Sequence, residues 1–448
     1  MRLTILGGGG FRTPLVYGAL LTDHHERRVD EVRLHDVDGS RLEAIGRVLA
    51  QMGAGQDDAP TVLTTTDLDE ALEGADFVFS AIRVGGLEGR TADERVALDL
   101  GVLGQETTGP GGLSFGLRTL PVARHVAERV RAVAPGAWVI NFTNPAGMVT
   151  EAMQQVLGDR VVGICDSPIA LARRAAVTLG LDPAGTRVDY VGLNHLGWLR
   201  GLHSGGRDVL PDLLADDRML GSMEEAHLFG PEWLRTLGAI PNEYLYYYYF
   251  TRDAVASIRS ADQTRGEYLL AQQRGFYEAL ARAGDDPYGE WDRVRRERNA
   301  TYMQEARDEG QERGEDDVQG GGYEGVALAI MAAIARGEAT SLILNVRSAG
   351  AVPGVPEDAV VEVPCTVDGD GPRPLAVSPL TTHQLGLVLQ VKAVERLTIS
   401  ASATGDEREA VEAFALHPLV DSVTVARDLL RGYRARIPAV DAVFTRRD

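Results

Sequence analysis

The sequence has little cysteine, no long apolar run and no excess of positive charge, and each shortage removes a class of function. Cys165 and Cys365 are its only cysteines, too few for a disulfide framework, so both thiols are expected to stay reduced. No stretch approaches the ~18 apolar residues of a membrane span. The opening Met1-Arg-Leu-Thr-Ile-Leu6 meets glycines at once, without the apolar region and small-residue cleavage site of a secretory signal. The expected location is therefore cytoplasmic. A formal net charge of -20 argues against nucleic acid or an anionic membrane as partner. An anionic substrate would need cations gathered locally. Internal repeats and a clean linker are also missing.

What is present is a globular composition, 44% hydrophobic and 25% charged over 448 residues, enough for two domains or one large one. The β run Leu3–Leu6 enters Gly7-Gly8-Gly9-Gly10, and Thr13-Pro14 opens a helix. Strand, glycine turn and helix form a phosphate cradle, because backbone N–H groups and the helix N-terminus face an anion. Arg12 or Thr13 stands where a third glycine would fall, and Arg12 is placed to touch cofactor phosphates. A second β run, Glu31 to Asp36, ends in an acid suited to an adenosine ribose, which favours NAD over NADP. The bland reading is a glycine turn with a surface aspartate.

Further β runs at Asp76–Arg83, Trp138–Pro145 and Val161–Pro168 alternate with helices near Thr91–Leu100 and Leu117–Ala132. That alternation predicts a doubly wound, mostly parallel Rossmann-like sheet, with ligands beyond the carboxyl ends of its strands. Arg83, Asn144 and Cys165 sit at such ends. After about residue 185 the pattern changes, so residues 1–185 are expected to bind the dinucleotide. Residues 186–448 would form a mixed α/β substrate and oligomerisation domain. There, helices are expected at Leu210–Ala226, Glu267–Ala283 and Tyr323–Ala335, strands at Ser341–Val346 and Ala359–Pro364, and closing helices from Thr381. The charge-dense stretch Asp292–Asp317 reads as a solvated helix and loop without function.

Two of the apolar runs end in metal-ligand chemistry, Val161-Val-Gly-Ile-Cys165 and Val191-Gly-Leu-Asn-His195. Thiolate and neutral imidazole both bind first-row divalent metals, and two protein ligands leave positions for a chelating substrate. Read alone, a buried cysteine is more often inert and a lone histidine structural. The run Tyr244-Leu-Tyr-Tyr-Tyr-Tyr-Phe250 could be one aromatic helix face. One tyrosine beside a metal or an arginine could instead abstract a carbon-bound proton. Glu106 is either a bare surface acid or the group that orients such a tyrosine.

Together these pieces resemble the family 4 glycoside hydrolases, a group that is NAD- and metal-dependent and stands apart from two-carboxylate glycosidases. The matching segments run along most of the chain. They are the glycine start with Thr13-Pro14, Arg83-Val-Gly-Gly-Leu-Glu-Gly-Arg90, Gly104–Gly112, Asn141-Phe-Thr-Asn-Pro145, Gly163–Pro168, Gly192-Leu-Asn-His195, Ile240–Tyr244 and Gln263-Thr-Arg265. The Arg83–Arg90 and Gly104–Gly112 segments look like the 6-phospho-β-glucosidase branch. The resemblance implies that NAD+ takes a hydride from C3 of a sugar 6-phosphate, which acidifies the C2 proton. It implies Mn2+ on Cys165 and His195, Tyr244 as the base at C2, and Glu106 raising that base's strength. It makes Arg90, Asn144 and Arg265 substrate contacts, with Arg83 a further one, and homodimers or homotetramers the expected assembly.

Asp166, after the metal cysteine, departs from the β-specific pattern, which favours asparagine. In the phospho-α-glucosidases an aspartate there donates a proton, so 6-phospho-α-glucosidase is the alternative activity. Gly10-Phe11-Arg12 also departs from the family's more usual serine with a hydroxyl or aromatic residue. A conventional lactate/malate-type dehydrogenase and a non-catalytic nucleotide sensor are the rivals from other classes. The first would accumulate NADH, and the second would not need Cys165, His195, Tyr244 and Glu106 together.

Overall fold

The computed structural model describes residues 1–300 and 322–445. Its first half is the predicted alternation made concrete. Strands β1 (Arg2–Leu6), β2 (Glu31–His35), β3 (Thr61–Thr65), β4 (Phe77–Ser80), β5 (Trp138–Asn141) and β6 (Val161–Gly163) are all parallel, in the order β6-β5-β4-β1-β2-β3. This is the doubly wound dinucleotide-binding order, whose reversal between β1 and β4 opens a crevice at the strands' carboxyl ends. The glycine turn follows β1, Arg83 lies just past β4, Asn144 past β5 and Cys165 past β6.

The sheet then continues through antiparallel strands. These are β7 (Arg187–Leu193), β8 (Leu196–Ser204), β9 (Arg207–Asp208), β10 (Ile240–Pro241), β11 (Thr340–Arg347), β12 (Val360–Asp368) and β13 (Gly371–Pro374). The order β10-β8-β7-β12-β11 leads into β6, with β13 on β12 and β9 on β8. The joins are narrow, Asn345 of β11 opposite Gly163 and Glu362 of β12 opposite Gly192. Hence Gly163, Asn345, Glu362 and Gly192 form one row across four strands, two residues before Cys165 and three before His195. Gly163 has to lack a side chain, since a Cβ there would stand 2.4 Å from Thr150 Oγ1 and 2.8 Å from Asn345 Cβ.

Helices cover both faces. One core joins Ile5, Leu34 and Ile45 to Ile330 and Val363. On the opposite face Leu117 and Leu120 pack with Ile399, Phe414 and Tyr433, so the C-terminal helices fold back over the first half as expected. Tyr433 OH donates to Asp93 O (3.2 Å), and Lys392 Nζ to Glu151 Oε2 (2.9 Å).

Several element boundaries differ from the sequence reading. The helix expected at Leu117 begins at Pro110 and runs to Val133, because proline presets the first helical turn. Its Gly111 and Gly112 pack so closely that a Cβ would meet Gln105 O at 2.1 Å and Thr107 O at 2.4 Å. The helix expected from Thr91 begins at Gly86, after a left-handed Gly85. The single helix expected over Leu210–Ala226 is three short ones, Leu210–Ala215, Asp217–Gly221 and Glu224–Phe229. Asp216 ends the first in extended backbone and caps the second. The charge-dense stretch is a helix, Pro287–Ala300, as far as it is described; from 301 on it lies outside the described residues. That helix is not simply solvated. Trp291 and Val294 are buried, and Trp291 Nε1 donates to Phe11 O (2.9 Å) at the glycine turn.

Candidate active site

The glycine turn is built by its own hydrogen bonds. Gly7 N and Gly8 N both donate to His35 O, at 2.9 and 2.8 Å, and Gly9 N donates to Asp36 Oδ2 (3.1 Å). Gly7 has φ +82°, and a Cβ would stand 2.6 Å from Ala81 O, so this position admits only glycine. Asp36 thus fixes the turn as well as marking the end of β2. The helix Thr13–Leu20 starts immediately after Arg12. The Arg12 guanidinium is held 5.2 Å from the Phe142 ring centroid and 5.1 Å from that of Tyr323. Tyr277 OH donates to Gly9 O (2.6 Å) from the other side. Next to it a cleft of about 550 Å³ is lined by Asp38, Arg41, Arg47, Arg274 and Tyr277.

Across the crevice, the loop after the helix Gly86–Asp99 carries Glu106. Arg83 Nη1 donates to its Oε2 (2.6 Å) and Arg90 Nη1 to its Oε1 (2.7 Å). Burial pushes this carboxyl up, but Arg83 and Arg90, with Arg12 farther off, reverse the effect and hold it at about 2. Glu94 extends the chain, accepting from Arg90 Nε (2.8 Å) and from Gly266 N (2.8 Å). The helix Arg265–Arg282, capped by Thr264, is therefore tied to the Arg90 cluster at its first turn. Arg265 lies over the Tyr268 ring (5.1 Å) and donates to Arg298 O (3.2 Å). Asn144 Oδ1 is buried and accepts no hydrogen bond among the described residues.

Removing the charge of Glu106 has a predictable signature. Its folded pKa lies below the ordinary 4.5, so its stabilisation is full above that value and fades as pH falls towards 2. Glu106→Gln is expected to lose about 3 kcal/mol of folding stability at pH 7, narrowing to about 1 kcal/mol at pH 3. Denaturant unfolding at the two pH values measures both, and an equal loss at each would contradict the assignment.

His195 occupies the tight turn between β7 and β8 with φ +63°, a conformation uncommon for a residue with a Cβ. Its ring lies flat on Tyr244, centroids 3.6 Å apart and planes 8° from parallel. Nδ1 faces Thr107 Oγ1 (3.1 Å), which leaves Nε2 as the ring nitrogen a cation could use. Burial pushes this imidazole down to about 3 although Glu106 opposes it, so the ring is neutral near pH 7. Tyr244 is fixed in turn. β10 pairs with β8, Asn242 N donates to Gly197 O (2.8 Å), and Asn242 Oδ1 accepts from Tyr244 N (3.1 Å). The tyrosine run is not one helix face: Tyr244 lies in a 3-10 turn and Tyr246–Tyr249 form a separate helical turn.

Cys165 is buried, with Sγ 4.0 Å from Asp166 Oδ1. Burial, then the charges of Glu362 and Asp166, push its thiol well above the ordinary value. Glu362 is fully buried among donors. Oε2 accepts from Tyr190 OH (3.1 Å), and Oε1 accepts from Asn194 Nδ2 (3.1 Å) and Asn345 Nδ2 (2.8 Å). Burial raises this carboxyl to about 7 despite those donors. Cys165, Asp166 and Glu362 thus set a thiol and two carboxyls within one another's field, an electronegative place of the kind that favours a cation. Among the described residues no three His, Cys, Asp or Glu side chains close on one point.

The fold thus gathers Arg83, Arg90 and Glu106 into one ionic cluster, with the helix that begins at Arg265 tied to it through Gly266 N and Glu94. His195 and Tyr244 stack beside it, and Cys165 and Asp166 adjoin Glu362, which bonds the neighbour of His195. Sequence reasoning gave no role to Thr107, Arg298, Asn345 or Glu362. Arg298 lies 3.7 Å from the Phe11 ring centroid, and burial followed by the charge of Arg12 lowers it to about 10. Glu362 had one legible signal, an acid inside the apolar run Ala359-Val-Val-Glu-Val-Pro364.

Known proteins are similar to this chain along nearly its whole length. The 6-phospho-beta-glucosidase of Escherichia coli is 31% identical over 98% of this chain and 96% of its own. The 6-phospho-beta glucosidase of Thermotoga maritima, solved with manganese, NAD+ and glucose-6-phosphate, is similar with a TM-score of 0.81 at 27% identity, over 98% of both chains. A 6-phospho-alpha-glucosidase from gut microorganisms, solved with NAD and Mn2+, gives 0.80 at 26% identity, over 99% of this chain and 98% of its own. The model of the family 4 glycosyl hydrolases matches residues 2–181, and that of their C-terminal domain matches residues 190–420. With nearly the whole length accounted for by these two matches, the chain belongs to the family 4 glycosyl hydrolases.

Proposed function

We propose that the enzyme is a 6-phospho-β-glucosidase acting by redox elimination and addition, with NAD recycled and Mn2+ or a similar divalent ion held by Cys165 and His195. The observation that carries this reading is the Tyr244–His195 stack beside the Arg83–Glu106–Arg90 cluster. A proton acceptor, a neutral nitrogen ligand and anion-binding cations meet in one crevice. The turn at Gly7, Gly8, Gly9 and Gly10, with Arg12, Asp36 and the cleft beyond them, fits the dinucleotide. When bound, NAD supplies a reversible hydride acceptor and the divalent ion a Lewis acid.

The chain's own residues do the rest. Among the described residues Arg83 spends only Nη1 on Glu106, which leaves its other donors for the 6-phosphate, which Arg90 and Arg265 also attract; a planar fork suits that group. Asn144 Oδ1 accepts a sugar hydroxyl. Tyr244 takes the C2 proton once C3 is a ketone. Glu106, ionised throughout the working range, adds negative charge near the stack and so strengthens that base. The aglycone leaves from C1, water adds to the unsaturated sugar, and C3 is reduced again, so no net oxidation results. A cytoplasmic location and an assembly of two or four copies belong to the same reading.

Asp166, beside Cys165 Sγ, favours a second reading with an α-linked substrate, protonating the leaving oxygen. Matched p-nitrophenyl α- and β-glucoside 6-phosphates, each with NAD+, Mn2+ and a thiol reductant, separate the two. The β substrate is expected to release nitrophenol at least tenfold faster, with no net NADH. Faster release from the α substrate would assign the other anomer, and steady NADH accumulation would point to a conventional dehydrogenase.

A further inference from the structure

The buried carboxylate of Glu362 has no part in the steps above. It is fully buried, and its three partners, Tyr190, Asn194 and Asn345, are all neutral. Among the described residues no lysine or arginine bonds it. Other buried acids of this chain are matched: Asp93 by Arg118, Glu225 by Arg174 and Glu151 by Lys392 and Arg396. Buried charges are normally paired with a counter-ion or turned towards a metal. The groups whose charge acts with that of Glu362 are Cys165 and Asp166, which are themselves anionic or potentially so. The described residues therefore do not supply the missing positive charge.

Its placement points the same way. Glu362 sits in the row Gly163, Asn345, Glu362, Gly192, between the strand that delivers Cys165 and the hairpin that delivers His195. Through Oε1 it holds Asn345, which lies against β6, and Asn194, the residue before His195. One carboxylate thus braces both ligand-bearing turns.

We propose that Glu362 is a positioning residue for the cation. It supplies the buried negative charge that a divalent ion on Cys165 and His195 requires, and it locks the turns that present them. This rests on the metal reading above. It assigns Glu362 no direct bond to the metal or the substrate.

Glu362→Gln separates charge from shape. A glutamine of the same outline accepts both asparagine amides on its oxygen and donates its N–H to the Tyr190 oxygen. Mn2+ titrated into the apo protein, followed by electron paramagnetic resonance of the free ion, is expected to show the Kd rise 10- to 100-fold, roughly the effect of outer-shell changes. Thermal unfolding in EDTA should show no loss of Tm, because the buried carboxylate has no counter-ion among the described residues of the apo chain, and glutamine can keep its neutral partners. Tyr190→Phe removes a hydrogen bond but leaves the charge, and its Mn2+ Kd should stay within about threefold of the wild type. NAD+ affinity should be unchanged in both variants. Equal Mn2+ affinity of Glu362→Gln and wild type would overturn the proposal while leaving Cys165 and His195 as ligands. An equally large loss in Tyr190→Phe would overturn it in favour of a purely structural role. Absence of Mn2+ binding by the wild type would overturn the metal reading and this proposal with it.

Discussion

Cys165→Ser is expected to lower nitrophenol release by roughly a thousandfold, with excess Mn2+ restoring little. The size follows from the several kcal/mol a Lewis acid contributes, at about 1.4 kcal/mol per tenfold. A thiol becomes an anionic ligand when a cation approaches, even where burial and the charges of Glu362 and Asp166 oppose it, because the metal displaces its proton. A serine hydroxyl is far harder to ionise and is a poor ligand for such an ion. The exchange is nearly isosteric, so stability should change little. Bound manganese per subunit and nitrophenol release together check it. A variant that stays both metal-loaded and fully active would remove Cys165 from the ligand set.

Tyr244→Phe should lower kcat by about 10²- to 10⁴-fold, the usual worth of a positioned base, while KM for the sugar phosphate changes by less than about threefold. The phenyl ring can keep the flat stack on His195, so the variant isolates the hydroxyl. The groups proposed to bind the sugar phosphate, Arg83, Arg90, Arg265 and Asn144, are elsewhere. Stopped assays over a range of substrate concentrations separate the two constants. A large rise in KM with kcat preserved would make Tyr244 a binding residue rather than the base.

The parts of this site that sequence exposes are those whose signal is local. A glycine run between a β run and Thr13-Pro14, and polar residues at the ends of apolar runs, identify the parallel sheet and its working edge. Arg83, Asn144 and Cys165 fell out of that rule. The parts it hides are contacts between distant segments. Glu362 meets Tyr190 and Asn194, more than 160 residues earlier, and Trp291 closes on Phe11 across 280. The stretch Asp292–Asp317 looked solvated because it is dense in charge and poor in apolar residues, yet Val294 within it and Trp291 just before it are buried, and Trp291 seats their helix against the glycine turn. Thr107 was hidden differently. Its segment was recognised, but only the turn of β7 into β8 brings Nδ1 of His195 to its hydroxyl. In each case packing between segments far apart in the chain, not local preference, makes the contact.

Proton exchange at C2 tests the chemistry most directly, because no displacement at C1 touches that carbon. The wild-type enzyme, given NAD+, Mn2+ and p-nitrophenyl β-glucoside 6-phosphate in D2O, should yield glucose 6-phosphate carrying deuterium at C2 in essentially every molecule, read by proton NMR. Product that retains hydrogen at C2 after complete turnover would contradict proton abstraction by Tyr244 and, with it, the elimination route.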